Sequence, residues 1–189
     1  MTRSILFSVL LILTAGVPVF SQQSAKTGPM ALLSRPADFP TPPKTSKSLF
    51  FIQRNKNKNT IAYDAKMVNG KFDVSQPIDA YWLRYGSTGE RKELTWAQNA
   101  FAYGYSSKKD KSGNGFQITL TAYDKRKIHL HTDAKGQPIA TITINGKQCR
   151  LNYIWVYADD QSSWPKVYHV DLNGTDLASG KIQNERIIN

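Results

Sequence analysis

The chain is poor in the residues that build disulfides and metal sites. Cys149 is its only cysteine, so an internal disulfide is excluded. The histidines come without any paired-cysteine metal pattern, and the sequence contains neither a nucleophile elbow nor a phosphate-binding loop. Glutamate occurs only at Glu90, Glu93 and Glu185, which argues against a glycosidase that works through a carboxylate pair. The sequence therefore names no reaction, and the fold must be stabilised by packing alone.

Long apolar runs are absent except at the N-terminus. There a mostly apolar run over residues 5–13 follows Arg3 and precedes the small residues Val19 and Ser21, the layout of a cleaved secretory signal. We predict a signal peptide over 1–21 and a periplasmic or secreted mature protein. The run is shorter than the ~20 residues that a spanning helix needs, so no transmembrane segment is expected in the mature chain.

Acidic residues are scarce relative to basic ones. The chain carries 25 Lys and Arg against 14 Asp and Glu, a formal net charge of +11. Such an excess favours contact with lipid head groups, wall polymers and other anionic surfaces through long-range attraction. For an exported chain, nucleic acid is not an expected partner. A basic protein that is merely soluble would carry the same charge, so both interpretations stay open.

Residues 22–46 lack both the helical and the strand period and contain most of the prolines. We predict a Pro-rich extended N-terminal segment there, with Leu32, Leu33 and Phe39 available to lie against the domain that follows. Residues 47–189 are predicted to form a single β domain, a length usual for one domain.

From Lys47 onward the period is close to two, and aromatic and β-branched residues are frequent. Turn signals at "VNGK", "DKRK" and "NGK" separate most of the segments. Eight strands joined by hairpin-length links predict an all-β, antiparallel, barrel-like domain with one short helix, or else a two-sheet sandwich. The predicted strands are Ser48 to Arg54, Thr60 to Val68, Ile78 to Tyr85, Phe116 to Tyr123, Lys127 to Thr132, Pro138 to Ile144, Gln148 to Tyr157 and Lys166 to Leu172.

The stretch "LTWAQNAFAYG", residues 94–104, predicts the helix. Thr95 with Gln98 three residues later has the spacing of a capping box, and Gly104 stands where a left-handed C-terminal residue is expected. Trp96, Ala100 and Phe101 fall on one side at helical spacing, so the helix should plug or flank the sheet.

The stretch "LFFIQRNKNKNTIAYD", residues 49–64, interrupts two apolar segments with basic and amide side chains. Strict alternation places Arg54 on the same inward side as Phe50 and Ile52, at the end of the strand. An arginine there, followed by asparagines as far as Asn59, offers a planar cation and several amide groups that could bind a carboxylate, phosphate or sugar. The alternative is a well-solvated hairpin turn, in which asparagine tolerates left-handed backbone and lysine maintains solubility.

The stretch "QPIDAYWLRYG", residues 76–86, is apolar on both faces of its predicted strand, with Tyr81 on one face and Trp82 on the other. Tyrosine and tryptophan combine a flat apolar body with a polar tip, which suits sugars and lipid head groups. Core packing is the alternative role for both residues.

"KIHLHTD" and "VYHVD" contain the three histidines of the chain. His129 and His131 share one face of a strand, and with His169 they could form an open zinc site. The alternative is a solvated sheet face, because the apolar neighbours point the other way. Cys149 alternates with Leu151, Tyr153 and Trp155 in a predicted strand, which predicts a small buried side chain.

Four motifs resemble the exported bacterial family catalogued as domain of unknown function 4833 over roughly residues 47–187. They are "LFFIQRNKNKNTIAYD", "QPIDAYW", "LTWAQNAFAYG" and "LNGTDLASGKIQNERI". The resemblance implies a secreted single-domain module of no stated activity, and the histidine pair is not part of its pattern. It directs attention to the motif positions Arg54, Asn59, Tyr63, Tyr81, Trp82, Tyr103 and Gly104.

Together these observations predict an exported module that binds an anionic or amphipathic ligand, a lipid or a glycan of the cell envelope. Arg54 would pair with the negative group, while Tyr63, Tyr81 and Trp82 would supply apolar and stacking surface, with Asn59 and Tyr103 nearby. The sequence favours binding over catalysis but leaves an enzymatic activity open, and we assign no catalytic residue, metal or cofactor. Two alternatives stay open: a zinc-assisted hydrolase that uses the histidines, and a protein-interaction module of an envelope complex.

Overall fold

The computed structural model describes residues 34–111, 113–159 and 166–188. The predicted signal peptide and the first part of the Pro-rich segment, including Leu32 and Leu33, lie outside the described residues. No helix within the described ranges is long and apolar enough to cross a membrane.

The described residues form thirteen strands, one α-helix and a π-helical turn, which confirms the all-β fold. The strands are β1 Ser48–Arg54, β2 Asn57–Ala65, β3 Met67–Val68, β4 Lys71–Phe72, β5 Ile78–Leu83, β6 Arg91–Glu93, β7 Tyr105–Lys109, β8 Phe116–Leu120, β9 Tyr123–Thr132, β10 Pro138–Ile144, β11 Lys147–Ala158, β12 Val167–Asp176 and β13 Ile182–Ile188. The helix α1 is Trp96–Gln98, and the π-helical turn Asn99–Tyr103 follows it directly.

Eleven strands form one curled, half-barrel sheet, and β3 pairs with β4 in a small second sheet. The order along the main path is β6-β5-β2-β1-β11-β10-β9-β8-β7, while β12 and β13 continue from the other edge of β11. β11 is the longest described strand, so its first residues pair with β10 and residues 153–156 pair with β1. The long strand therefore joins the two halves of the sheet.

The pairing of β1 with β11 is parallel, so the prediction of purely antiparallel strands was wrong at this position. Hairpin-length links decide the pairing of consecutive strands only. β1 and β11 are far apart in sequence, so their relative direction follows from how the sheet curls.

A tyrosine side chain links the two ends of the curled sheet. The hydroxyl of Tyr105 in β7 accepts a hydrogen bond from the Ile78 nitrogen (3.0 Å) and donates one to the Ile78 oxygen (2.7 Å) in β5. Phe72 also packs edge-on against Phe116, with ring centroids 6.2 Å apart. These contacts cover the core on the inner side of the sheet. Its largest fully buried aliphatic side chains are Ile61, Ile78, Ile118, Ile128, Leu130, Ile142, Ile144, Leu151, Ile154 and Leu172.

The described part of the Pro-rich segment covers the outer face of β1 and β11. The ring of Phe39 packs edge-on against Trp155 with centroids 5.0 Å apart, as predicted for a residue laid against the domain. Arg35 donates to the side chain of Gln53, which is fully buried and also donates to the carbonyl of Pro40 (2.7 Å). Both faces of β1 are therefore covered.

The predicted turns agree with the structure except in one case. Asn69–Gly70 and Asn145–Gly146 have positive φ angles at both residues, as two-residue hairpin turns require. The "DKRK" stretch was wrongly predicted as a turn, because β9 runs through it. Within it, Arg126 pairs with Glu185 of β13 and donates to the carbonyl of Thr143 (2.8 Å). Charged side chains paired across strands thus stabilise a strand where their density suggested a loop.

The helix begins with the predicted capping box. The Thr95 hydroxyl accepts from the Gln98 nitrogen (3.3 Å), and the Gln98 side chain accepts from the Thr95 nitrogen (2.9 Å). The prediction of a left-handed Gly104 was wrong, because its backbone is extended, with φ −71° and ψ −179°. Glycine is required there for space, since a Cβ would lie 2.1 Å from the Asn99 oxygen.

Candidate ligand-binding site

A cavity of about 670 Å³ opens beside the helix, within the size range of ligand pockets. Strands β1, β11 and β12 supply aliphatic side chains to it, the π-helical turn forms one rim, and the start of β9 forms another. Its lining consists of Ile52, Arg54, Ala97, Gln98, Phe101, Ala102, Tyr103, Leu120, Ala122, Tyr123, Asp124, Lys125, Ile154, Val156, Ala158, Val167 and Val170. The cavity is therefore mostly apolar, with a few polar groups in its wall.

Arg54 lies in this wall, on the same side of β1 as Ile52, as strand alternation predicts. Its Nε atom is buried and has no hydrogen-bond partner among the described residues. The next residue, Asn55, holds the end of the strand in place, because its side chain donates to the Ala158 oxygen and accepts from the Ala158 nitrogen, both at 2.9 Å. The arginine is thus held at the cavity by a rigid strand end.

Tyr123 at the start of β9 supplies the second polar group. Its hydroxyl is also buried and has no partner among the residues the structure describes. Burial raises the pKa of Tyr123 above its usual value, so the hydroxyl stays a protonated donor at neutral pH. Sequence reasoning missed this residue because the following "DKRK" stretch looked like a turn. An aromatic residue directly before a run of charged residues was the sequence feature that could have indicated it.

The rim formed by α1 and the π-helical turn exposes two aromatic rings. The side chains of Trp96 and Phe101 are 77% and 57% exposed and pack edge-on against each other with centroids 5.7 Å apart. Phe101 also lines the cavity. The helix therefore flanks the cavity mouth, and it contributes no fully buried residue to the core.

A smaller cavity of about 60 Å³ adjoins the main one, and Arg54 and Tyr103 line both. Trp82 lines the smaller cavity and packs edge-on against Tyr103 with centroids 5.2 Å apart. Asn59 also lines it, and its side-chain oxygen accepts from the Gly86 nitrogen (2.9 Å). The structure thus brings together four of the predicted site residues: Arg54, Asn59, Trp82 and Tyr103.

Tyr63 lies in the core next to this group. Its ring stacks on Phe50 with centroids 4.5 Å apart, and its hydroxyl donates to the carbonyl oxygen of Tyr103 (2.7 Å). Full burial, followed by the influence of Tyr103, raises its pKa well above the usual value. Tyr63 is therefore placed to position the backbone of Tyr103, and it does not line either cavity.

Tyr81 points to the opposite side of β5. Its hydroxyl donates to Asp64 (2.9 Å), and the guanidinium of Arg91 lies 3.8 Å from the centre of its ring. Burial, followed by the hydrogen bond with Asp64, raises its pKa to about 12. This residue belongs to a polar cluster that is separate from the cavity lining.

The histidines do not converge. His129 and His131 lie in β9, whereas His169 lies in β12, where its ring stacks on Tyr157 with centroids 5.1 Å apart. Within the described ranges, no group of three or more His, Cys, Asp or Glu residues could hold a metal ion. Cys149 is fully buried in the core, which confirms the prediction of a small apolar side chain.

The comparisons with known proteins agree with the resemblance in the motifs. A family model described as "Domain of unknown function (DUF4833)" matches residues 50–186. The chain belongs to this family. Neither the comparison with curated proteins nor that with solved structures gives a significant match. All the residues of both cavities fall inside the matched range, so they are part of the DUF4833 domain.

Proposed function

We propose that this DUF4833 domain binds an anionic amphipathic molecule, with the anionic group at Arg54 and the apolar part in the main cavity. The observation that carries the proposal is the Nε atom of Arg54, which is buried in the wall of an apolar cavity and has no partner among the residues the structure describes. A buried donor on a cation is costly when it lacks a partner. A bound anion would satisfy it and would be bound tightly for the same reason.

The shape and chemistry of the cavity support a lipid-like ligand over a glycan. Aliphatic side chains such as Ile52, Ile154, Val156 and Val170 form much of the wall. Such a wall suits an alkyl chain, whereas a sugar would leave most of its hydroxyl groups without partners. In the smaller cavity, the edge-on rings of Trp82 and Tyr103 supply aromatic surface, and Asn59 supplies an amide in the same lining as Arg54.

The cellular setting is part of the proposal. The N-terminal motif predicts export, so the ligand would be a molecule of the cell envelope. The positive formal net charge would favour the approach of anionic molecules. No catalytic step is required of the cavity residues, and the domain acts in this proposal as a carrier or sensor.

The test is native mass spectrometry of the full chain, exported and purified from the periplasm without chelators. Wild-type protein is expected to carry a co-purified anionic lipid and to bind anilinonaphthalene sulfonate. Arg54→Gln should lose the lipid and bind the probe about tenfold or more weakly, because a hydrogen bond to a charged group is worth about 1.5–3 kcal/mol. The fold should survive, as circular dichroism would show.

Arg84→Gln is the matched control, because Arg84 forms an exposed ion pair with Glu90 and does not line either cavity. It should behave as the wild type does. Equal lipid recovery and equal probe affinity for Arg54→Gln and the wild type would overturn the proposal. A bare polypeptide mass without probe binding would instead favour the interaction module, which the exposed aromatic pair Trp96 and Phe101 supports.

A further inference from the structure

Only two side chains in the described part of the chain have buried polar atoms without a partner, and both line the main cavity. They are Arg54, through Nε, and Tyr123, through its hydroxyl. In folded proteins the large majority of buried side-chain polar atoms have a hydrogen-bond partner. Two exceptions in the wall of one cavity therefore indicate a ligand that satisfies both.

The polar groups near Tyr123 are already engaged with each other. Arg126 forms two hydrogen bonds with the carboxylate of Glu185, which also accepts from the Asn145 nitrogen (2.7 Å). This ion pair is therefore satisfied without the tyrosine. The hydroxyl of Tyr123 is therefore a neutral donor without a partner among the described residues, on a side chain that lines the cavity.

The charges in the cavity wall indicate the charge of the ligand. Among the described lining residues, Asp124 and Lys125 are exposed to solvent and opposite in charge, which leaves Arg54 as the half-buried cation of the wall. A carboxylate has one negative charge and two acceptor oxygens, which matches one net cation and two donors. A phosphate monoester carries about −1.5 to −2 at neutral pH. Its excess charge would stay unbalanced among aliphatic side chains, at a large cost.

We infer that the cavity takes a long-chain monocarboxylate, with Arg54 as its charge partner and the Tyr123 hydroxyl as a second donor to its oxygen atoms. This inference rests on the proposed function and adds to it the class of head group and a further binding residue. The aliphatic wall accommodates the alkyl chain, and the carboxylate satisfies the two buried donors.

The experiment compares three ligands of equal chain length: palmitate, hexadecyl phosphate and hexadecanol. Each displaces a dansyl-labelled fatty acid from the full chain at neutral pH. Palmitate should bind at least tenfold more tightly than hexadecanol and more tightly than hexadecyl phosphate. Tyr123→Phe removes only the hydroxyl and should weaken palmitate binding about fivefold to tenfold, while hexadecanol binding changes less.

The control is Tyr168→Phe, because Tyr168 is exposed and does not line the cavity. Thermal unfolding of ligand-free Tyr123→Phe should match or exceed the wild type, since the change removes an unsatisfied buried group. Unchanged palmitate affinity in Tyr123→Phe, or tighter binding of hexadecyl phosphate, would overturn this inference while the role of Arg54 stands. If none of the three ligands binds to wild-type protein, the inference fails, and the mass spectrum then decides the proposed function separately.

Discussion

Arg35 packs on the outer face of β1, whereas Arg54, the last residue of that strand, lies on its cavity face, and the two arginines differ in their hydrogen bonds. On the outer face, Arg35 donates to Gln53 (2.5 Å), to the carbonyls of Phe39 (2.8 Å) and Pro40 (3.1 Å), and to Thr41 (3.3 Å). Its guanidinium also lies 5.2 Å from the ring centre of Tyr153. On the cavity face, Arg54 has a buried Nε with no partner among the described residues.

The difference separates a structural arginine from a candidate binding residue. Burial of Arg35 is unfavourable and lowers its pKa, chiefly by desolvation. The hydrogen bonds that Arg35 donates offset part of this unfavourable free energy. The buried Nε of Arg54 has no such compensating hydrogen bond to the described residues. Such a residue reduces stability while it increases the affinity for an anion.

The largest effect is expected from removing the outer arginine. Arg35→Met should destabilise the domain by about 2–3 kcal/mol, because several charge-assisted hydrogen bonds are lost and the buried Gln53 loses a partner. Arg54→Met should change stability by about 0.5 kcal/mol or less, or increase it, because it removes an unsatisfied donor. Urea unfolding of both variants measures the difference. Equal losses of stability in Arg35→Met and Arg54→Met would contradict this prediction and show that Arg54 is also a structural residue.

The second effect concerns the rim of the cavity. Gly104→Ala should cost about 1–3 kcal/mol, because the new Cβ would lie 2.1 Å from the Asn99 oxygen and force the π-helical turn to move. Probe binding should fall as well, since this turn lines the cavity.

Gly115→Ala is the control for the rim, because its Cβ would meet the Leu130 oxygen at 2.4 Å, away from the cavity lining. It should lower stability while probe affinity is kept. Equal loss of probe affinity in both glycine variants would mean that general destabilisation causes it.

The smallest effect is a pH dependence at a third arginine, Arg126. Its hydrogen bonds to Glu185 hold the pKa of that carboxyl below its usual value of 4.5. A carboxyl group whose pKa is lower in the folded state stabilises the fold above pH 4.5. This contribution is lost as the pH falls through the folded-state pKa. In Glu185→Gln, the free energy of unfolding should fall by about 1 kcal/mol less than in the wild type as the pH is lowered. The free energy of unfolding of the wild type and of the variant, measured between pH 6 and 3, checks this prediction. Parallel curves of free energy against pH would contradict it.

Regular alternation let the sequence predict several elements closely. The bounds of β1 and β10 agree at both ends with the predicted strands, and the capping box at Thr95 is present. The strands β6, β7 and β13 were missed, because their polar or charged residues are stabilised by neighbouring strands and show little apolar period. The side of the sheet on which Arg54 lies could be predicted from alternation along one strand. The position of Tyr123 in the cavity wall depends on how β9 pairs with its neighbours, which the sequence does not show.

β11 shows the limit of alternation most clearly. Cys149 and Leu151 face the core, and an irregularity in pairing between Leu151 and Tyr153 shifts the pattern. Trp155, which is only 1% exposed, consequently packs against Phe39 on the outer face, while Ile154 lines the cavity. A two-residue period cannot reveal such a shift, because both faces of this strand are apolar.

Local pattern and motifs in the sequence were sufficient to predict the family, the all-β character and the side of β1 on which Arg54 lies. The side chains that surround this arginine depend on the three-dimensional fold. Tyr123, Val170 and Phe101 come from distant segments and meet Arg54 through the curling of the sheet. Within this fold, no described residue provides a partner for the arginine Nε. Hydrogen-bond satisfaction is a property of the whole fold, because the partner of a buried donor can come from any part of the chain.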